Sequence, residues 1–352
     1  MTEKILYRVT ESPFNYIGWP SVAKDENGVI YVACSGHRLA HICPFGQSWM
    51  FISRDNGESF LGPVIINDTV MDDRDTGLTC LGNGVLALTW FSHPASFYTE
   101  PEDFMRHCTE EKSPIAEGMA RYCAAHEAEC GSFMRISKDY GKTWGEKIKV
   151  PLTAPHGVVA APDGGMLYVG KEFRSGTCLE EGAFYAMKSD DLGQTWEVLG
   201  SIDFPEGYDA SNVHEAHAVY LPDGGILAAL RLEDKGLSTA LCYSADGGKT
   251  WTKPVHTRWA GSPPHLLRHS SGKIICTYGH RLAPYGECVR ISDDNGMTFG
   301  EEKYISHAPN DDLGYPATAE LENGELFSVF YQLAEGDTYP SLMAVRWSLD
   351  EV

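Results

Sequence analysis

The sequence predicts an all-β fold: a six-bladed β-propeller spanning residues 1–352, with a helical insertion in its second blade. Three observations carry that expectation. One eight-residue motif occurs five times, a second kind of turn occurs six times between its copies, and the copies recur at roughly fifty residues.

The motif is Ser-x-Asp-x-Gly-x-(Ser/Thr)-(Trp/Phe). It stands at Ser53–Phe60, Ser137–Trp144, Ser189–Trp196, Ser244–Trp251 and Ser292–Phe299. These residue types suit a tight turn between two strands. Ser and Asp side chains hydrogen-bond the turn backbone, Gly supplies a positive φ, and the closing aromatic returns to the sheet. The aspartates are therefore read as turn formers and not as catalysts.

The second kind of turn lies between short apolar runs such as Val29–Ala33 and Ile226–Leu230. Its copies are Asp25–Gly28, Leu81–Gly84, Pro162–Gly165, Pro222–Gly225, Ser270–Gly272 and Glu322–Gly324. This is hairpin chemistry. Six hairpins with five motifs make six four-stranded blades. The sixth motif is expected in eroded form around Arg346–Asp350.

Composition bounds the function. The 352 residues are 43% hydrophobic and 22% charged, with a formal net charge of −21. Such a surface disfavours nucleic acid and anionic membranes, so an anionic ligand needs locally clustered arginines. No run approaches the ~18 apolar residues of a membrane span. The N-terminal Met-Thr-Glu-Lys-Ile-Leu-Tyr-Arg has no apolar h-region, which predicts a cytoplasmic protein. Ten cysteines without a CxxC pair, several in strand-like runs (Cys34, Cys80, Cys242, Cys276), read as small core residues in a reducing compartment. No phosphate loop or dinucleotide fingerprint implies a cofactor. His214-Glu-Ala-His217 is one residue too short for the helical zinc motif and begins a strand, so no metal is expected.

Topology predicts which residues meet. In a blade the first strand's start and the second strand's end share one edge, and the motif turn lies on the opposite face. The shared upper edge gathers Trp19, His37 and Arg38; then Asp75 and His93; then His156, Lys171, Glu172 and Arg174. It continues with Glu215, Arg231 and Glu233; His265, His280 and Arg281; and Tyr315, Tyr331 and Gln332. A ring this rich in cationic and titratable groups, on so acidic a chain, predicts a site for an anionic small molecule or oligosaccharide.

The repeats resemble those of the sialidase (neuraminidase) superfamily, where they are called Asp boxes, and the likeness covers nearly the whole chain. His214–Arg231 resembles the stretch in which a Glu precedes a Pro-Asp-Gly turn and an Arg ends the next strand. The resemblance implies that Glu215 polarises a catalytic tyrosine and Arg231 binds a substrate carboxylate. Asp312–Leu321 resembles the stretch carrying the nucleophile, which makes it Tyr315, followed here by Pro where the family usually has Ser. Arg281 matches the third arginine of the family's triad, and Arg38 resembles one near the sugar's 4-position. A neutral phenol nucleophile suits a sugar with a carboxylate on its anomeric carbon, because a carboxylate nucleophile would be repelled.

Two family features are absent. Where the family opens Arg-Ile-Pro this chain reads Gly18-Trp19-Pro20, and the loop Ser35–Gly46, which should carry an Asp general acid, has no carboxylate. His37, His41, Asp73 or Asp75 are the candidates for the acid. The remaining ring residues His93, His156, Arg174 and His280 are candidates for substrate binding, as is His41.

Residues 93–131 interrupt the second blade on the upper face. Ser113-Pro114 followed by Ile115, Met119, Tyr122 and Cys123 reads as a capped amphipathic helix. It either roofs the pocket, with Arg106 or Arg121 replacing the missing arginine, or packs on the rim or against another subunit. The expected activity is a glycoside hydrolase for sialosides or a related acidic sugar. The alternatives are another carbohydrate-active propeller enzyme using His/Tyr acid–base chemistry, and a propeller that binds glycans without turnover.

Overall fold

The computed structural model describes residues 1–10, 12–99 and 110–352. Six antiparallel sheets follow one another around an axis. Blade 1 runs through Tyr16–Lys24, Ile30–Arg38, Gln47–Ser53 and Leu61–Asn67. Blade 2 opens with Arg74–Gly82 and Val85–Phe91, and resumes after the insertion at Ser132–Ser137. Blade 4 opens with Val213–Tyr220 and Ile226–Leu232, blade 5 with Pro264–Arg268 and Ile274–His280. Blade 6 consists of Gly314–Glu320, Leu326–Gln332, Ser341–Trp347 and, from the other end of the chain, Thr2–Tyr7.

That last pairing explains the missing sixth motif. The motif joins a blade's third and fourth strands, and in blade 6 the fourth strand is the N-terminal one. There is no turn to form, so Arg346–Asp350 is not an eroded motif. Trp347 ends the third strand with its indole donating to Ser328 Oγ at 2.9 Å, and a 3-10 turn follows at Leu349–Glu351.

The five motifs fold alike. In the fourth blade Ser244 Oγ donates to Asp246 Oδ1 (2.9 Å) and accepts from the Gly248 N–H (2.7 Å). The same Asp246 takes the Thr250 N–H and hydroxyl at 2.9 and 2.7 Å. These donors hold its carboxyl down to about 2. Two consecutive residues turn left-handed, such as Asn56 and Gly57 or Asn295 and Gly296, so the bend needs more than its glycine alone.

The core is a set of seams between neighbouring blades. Ile17, Val32 and Phe51 of blade 1 pack on Phe327, Val329 and Leu342 of blade 6. Leu167 and Phe184 of blade 3, whose central strands are Met166–Glu172 and Phe184–Ser189, meet Ile226 and Leu230 of blade 4. Each such side chain contributes roughly 1.5–3 kcal/mol by burial. The buried cysteines 34, 242 and 276 lie in these seams, and no disulfide is present among the described residues. No helix among the described residues is long and apolar enough to cross a membrane.

The insertion contains the helix Ser113–Ala125, with Pro114 in its first turn. Its start is capped differently from the expectation: Lys112 holds the N-cap position, and its side chain makes no cap hydrogen bond. Its buried stripe is Ala116, Ala120 and Cys123, packed on Leu39, Cys43 and Met71, whereas Ile115 and Tyr122 face solvent. Small residues win the inward face because the helix lies close against the loops of blades 1 and 2.

Candidate active site

Bulges set the site. The first strands of blades 1, 2 and 6 each break register near their start, between Gly18 and Ser21, Arg74 and Gly77, and Gly314 and Ala317. In each break one residue takes a positive φ: Trp19 (53°), Asp75 (51°) and Tyr315 (54°). A bulge re-aims side chains, and here it brings Trp19, Asp75 and Tyr315 to the centre of the upper face. Blade 4 breaks register between Val213 and Ala216, around Glu215.

Asp75, Glu215 and Tyr315 line a pocket of about 530 Å³, and Trp19 packs under Arg74 outside that lining. On the pocket floor Tyr315 donates its phenolic hydrogen to Glu215 Oε1. Arg231 Nη1 donates to Glu215 Oε2 at 2.7 Å and to the Tyr315 oxygen at 3.1 Å. Arg281 sits 5.6 Å over the Tyr315 ring and donates Nε to the Leu313 carbonyl at 2.9 Å. Burial raises the Glu215 carboxyl, but Arg231 and the Tyr315 hydroxyl outweigh it and hold it below the ordinary range. Burial, Glu215 and Asp75 push the Tyr315 phenol well up against the pull of Arg231 and Arg281. At neutral pH the pair is therefore carboxylate and phenol, with the proton on the tyrosine.

Asp75 lines the same pocket, with Arg74 Nε 3.5 Å from its Oδ1. Burial raises it to about 7, with Arg74 opposing and Glu215 reinforcing the shift. Asp73 is also raised to about 7 by burial, but Thr69 holds it and it does not line the pocket. His41 and His93 do line it. His41 joins Tyr16 (2.7 Å) and Asp312 (3.3 Å), and burial lowers it to about 3. His93 stacks on Phe97 at 4.1 Å, and burial keeps it neutral. One wall is apolar: Ile42, Phe91, Pro94, Phe97, Pro155 and Phe173.

The structure places five of the expected residues away from this pocket. His37 turns left-handed (φ 55°) and stacks on Phe14 at 4.1 Å. Arg38 is fully buried. It grips Asp72 with both terminal nitrogens, donates to Ser35 Oγ and the His41 carbonyl, and lies 4.5 Å from the Trp19 ring. Arg174 pairs with Glu127 of the insertion at 2.5 Å. His280 donates from Nδ1 toward the carbonyls of Leu282 and Pro284. His156 lies below Tyr315 on the axis, with ring centroids 6.5 Å apart. Arg121 is 81% exposed and pairs with Glu117 one turn away, so it does not replace the missing arginine; Arg106 lies outside the described residues.

Arg38 is thus one half of a buried ion pair. Arg38→Met leaves Asp72 charged and unpaired, and should cost ~3–5 kcal/mol. Urea unfolding would show this as a lowered midpoint; an unchanged midpoint with weakened substrate binding would return Arg38 to the site.

One charged pocket residue escaped the sequence reading. Arg74 is buried, stacks 3.9 Å from the Trp19 ring and donates to the His41 carbonyl at 2.9 Å. It precedes the bulged Asp75 as Gly18 precedes the bulged Trp19. Arg74 therefore holds in blade 2 the register that Gly18 holds in blade 1, one blade over from the family's first arginine. A Cβ at Gly18 would lie in ordinary van der Waals contact with the rings of Tyr16 and Tyr331, at 3.5 and 3.7 Å, so the glycine is not there to avoid a clash. The Asp72-Asp73-Arg74-Asp75 run was the available signal.

The family model for the BNR repeat-like domain matches residues 116–328. The chain is a BNR-repeat protein, a divergent member of the sialidase superfamily. It is 24% identical over 220 residues to a sialidase of Bacteroides fragilis. That match covers 56% of this chain and 38% of the relative, so this BNR-repeat protein spans little more than a third of the relative's length. Solved structures share the fold at low identity. A Dyadobacter fermentans protein of unknown function superposes with a TM-score of 0.74 at 21% identity, covering 98% of this chain and 97% of that one. The NanB sialidase of Streptococcus pneumoniae gives 0.71 at 14%, covering 99% and 71%. The intramolecular trans-sialidase of Ruminococcus gnavus gives 0.65 at 15%, covering 98% and 97%.

Proposed function

We propose that this BNR-repeat protein is a retaining glycoside hydrolase for terminal sialosides or a related sugar with a carboxylate on its anomeric carbon. The observation that carries the reading is the hydrogen-bonded trio of Tyr315, Glu215 and Arg231 on the pocket floor. A glycan-binding module has no use for a tyrosine whose proton is already directed at a carboxylate.

In the first step the Tyr315 oxygen attacks the anomeric carbon and its proton passes to Glu215. The glycosidic oxygen leaves with a proton from Asp75. In the second step Asp75 takes a proton from water, whose oxygen displaces the tyrosine, and Glu215 returns its proton to the phenol. Two inversions retain configuration. Arg231 and Arg281 bind the substrate carboxylate, with Arg74 as the third cation in place of the absent arginine. Guanidinium groups keep their charge at any working pH.

The displacement of the first arginine favours a second reading. With Trp19 fully buried where the first blade meets the axis, the carboxylate clamp is rotated toward blade 2, and an acidic sugar other than a sialic acid fits that change. Release of fluorophore from an aryl α-sialoside, with NMR of the first-formed anomer, tests the first reading. Turnover with the α-anomer formed first supports it. No turnover at any concentration removes the sialoside and leaves the other acidic sugars.

A further inference from the structure

Beneath the pocket, on the opposite side of Tyr315, the propeller axis opens into a second cavity of about 350 Å³. Three imidazoles crowd it: His156 of blade 3, His217 of blade 4 and His265 of blade 5. Their ring centroids lie 5.5, 4.9 and 4.4 Å apart. All three are nine-tenths or more buried. The reaction proposed above uses none of them.

The protons of two of them are fixed by their neighbours. His217 Nδ1 accepts the Leu266 N–H at 2.9 Å, and His265 Nδ1 accepts the Thr318 N–H at 3.4 Å. Each ring reaches to the next blade with Nδ1 as acceptor, so its hydrogen resides on Nε2. Ser21 Oγ lies 3.3 Å from His156 Nδ1 and, when it donates there, leaves the ring hydrogen on the buried Nε2, which has no partner among the described residues. A buried polar atom without a partner costs free energy unless a ligand or water meets it.

This arrangement opposes a metal. A ligating Nε2 must be unprotonated, which would put the hydrogen on Nδ1, against the backbone N–H groups of Leu266 and Thr318. No His, Cys, Asp or Glu cluster suited to a metal occurs among the described residues.

The cavity offers donors instead. Lys24 and Arg268 line it with the imidazoles, and its one carboxylate, Glu320, is engaged by Ser270 and His269. Cations and N–H donors gathered on the axis of a chain with net charge −21 make a local exception to its field.

We propose that this axial cavity is a binding site for a small inorganic anion of the halide class, held by the Nε2–H groups of His156, His217 and His265. The three imidazoles act as neutral N–H donors, since burial lowers His217 to about 4 and holds His156 and His265 well below their ordinary value.

The test uses the intact protein. Crystals soaked in sodium bromide are measured at the bromine absorption edge, and melting temperature is followed in sodium chloride against sodium gluconate at equal ionic strength. The expected result is an anomalous peak between the three rings and a chloride-specific rise in Tm of a few degrees, since a ligand of the native state alone stabilises it. His156→Gln should remove both effects. If that variant does not fold, the wild-type peak and Tm shift decide alone. No anomalous peak on the axis, equal Tm in both salts, or stabilisation by Zn²⁺ but not by halide would overturn the proposal.

Discussion

Tyr315→Phe should lower kcat for an aryl α-sialoside on the order of 10³-fold or more, with KM little changed. The substitution deletes one oxygen, the atom assigned to the attack. The ring contacts with Trp19, Tyr331 and Arg281 do not depend on that oxygen, so the fold should survive. Glu215 loses one donor and keeps Arg231, a cost of about 1 kcal/mol. Circular dichroism and Tm establish that the variant is folded before its rate is read. Mass spectrometry with a slow fluorinated substrate adds a second reading: a covalent adduct on the wild-type peptide containing Tyr315 and none on the variant. Activity within tenfold of wild type would place the nucleophile elsewhere. Glu215→Gln complements it. Such a change keeps the shape but offers no base, so it should slow the attack while leaving carboxylate binding by Arg281 and Arg74 in place.

The pattern of what sequence revealed follows from how blades are built. Repeats at fixed spacing identify blades, and blades identify edges, so Glu215, Arg231, Arg281 and Tyr315 could be placed on one face before any coordinates. Their pairing in the pocket depends only on that shared edge. Arg38 and His37 lie on the same edge yet serve the structure, because strand alternation fails where the backbone turns left-handed at Trp19 and His37. Nothing in a one-letter string marks a bulge when the bulged residue is Trp, Asp or Tyr and not glycine. The same bulge hid Arg74, whose register becomes visible only when blade 2 is laid over blade 1. The helix carries a parallel lesson. Ile115 and Tyr122 looked like its buried face, but the inward side needed close approach, and alanines filled it. The missing sixth motif had a topological cause that local composition does not record.

Asp75→Asn tests the other half of the chemistry, through pH. The wild-type carboxyl is raised from an ordinary 3.8 to about 7, chiefly by burial. It therefore holds a proton to give at neutral pH and loses it above. For a substrate with a sugar leaving group, kcat/KM should fall as pH rises through about 7, and Asp75→Asn should lose roughly 10²–10⁴-fold. For an activated aryl leaving group, which departs without a proton, the same variant should lose far less and its profile should flatten above pH 7. The unequal loss separates an acid from a residue that merely shapes the pocket, since damage to shape would weaken both substrates alike. Stability gives the sign a second check. Between 3.8 and about 7 the folded protein binds a proton at Asp75 that the unfolded chain has released. This contribution is complete below the lower value and lost as pH rises through the upper one. An asparagine cannot ionise, so the variant should gain stability relative to wild type at pH 8, on the order of a few kcal/mol, while showing no such gain at pH 4. Equal losses on both leaving groups, with the basic limb intact in the variant, would assign that limb to another group and remove Asp75 as the acid. His41, lowered to about 3, could not take its place at neutral pH because it holds no second proton there.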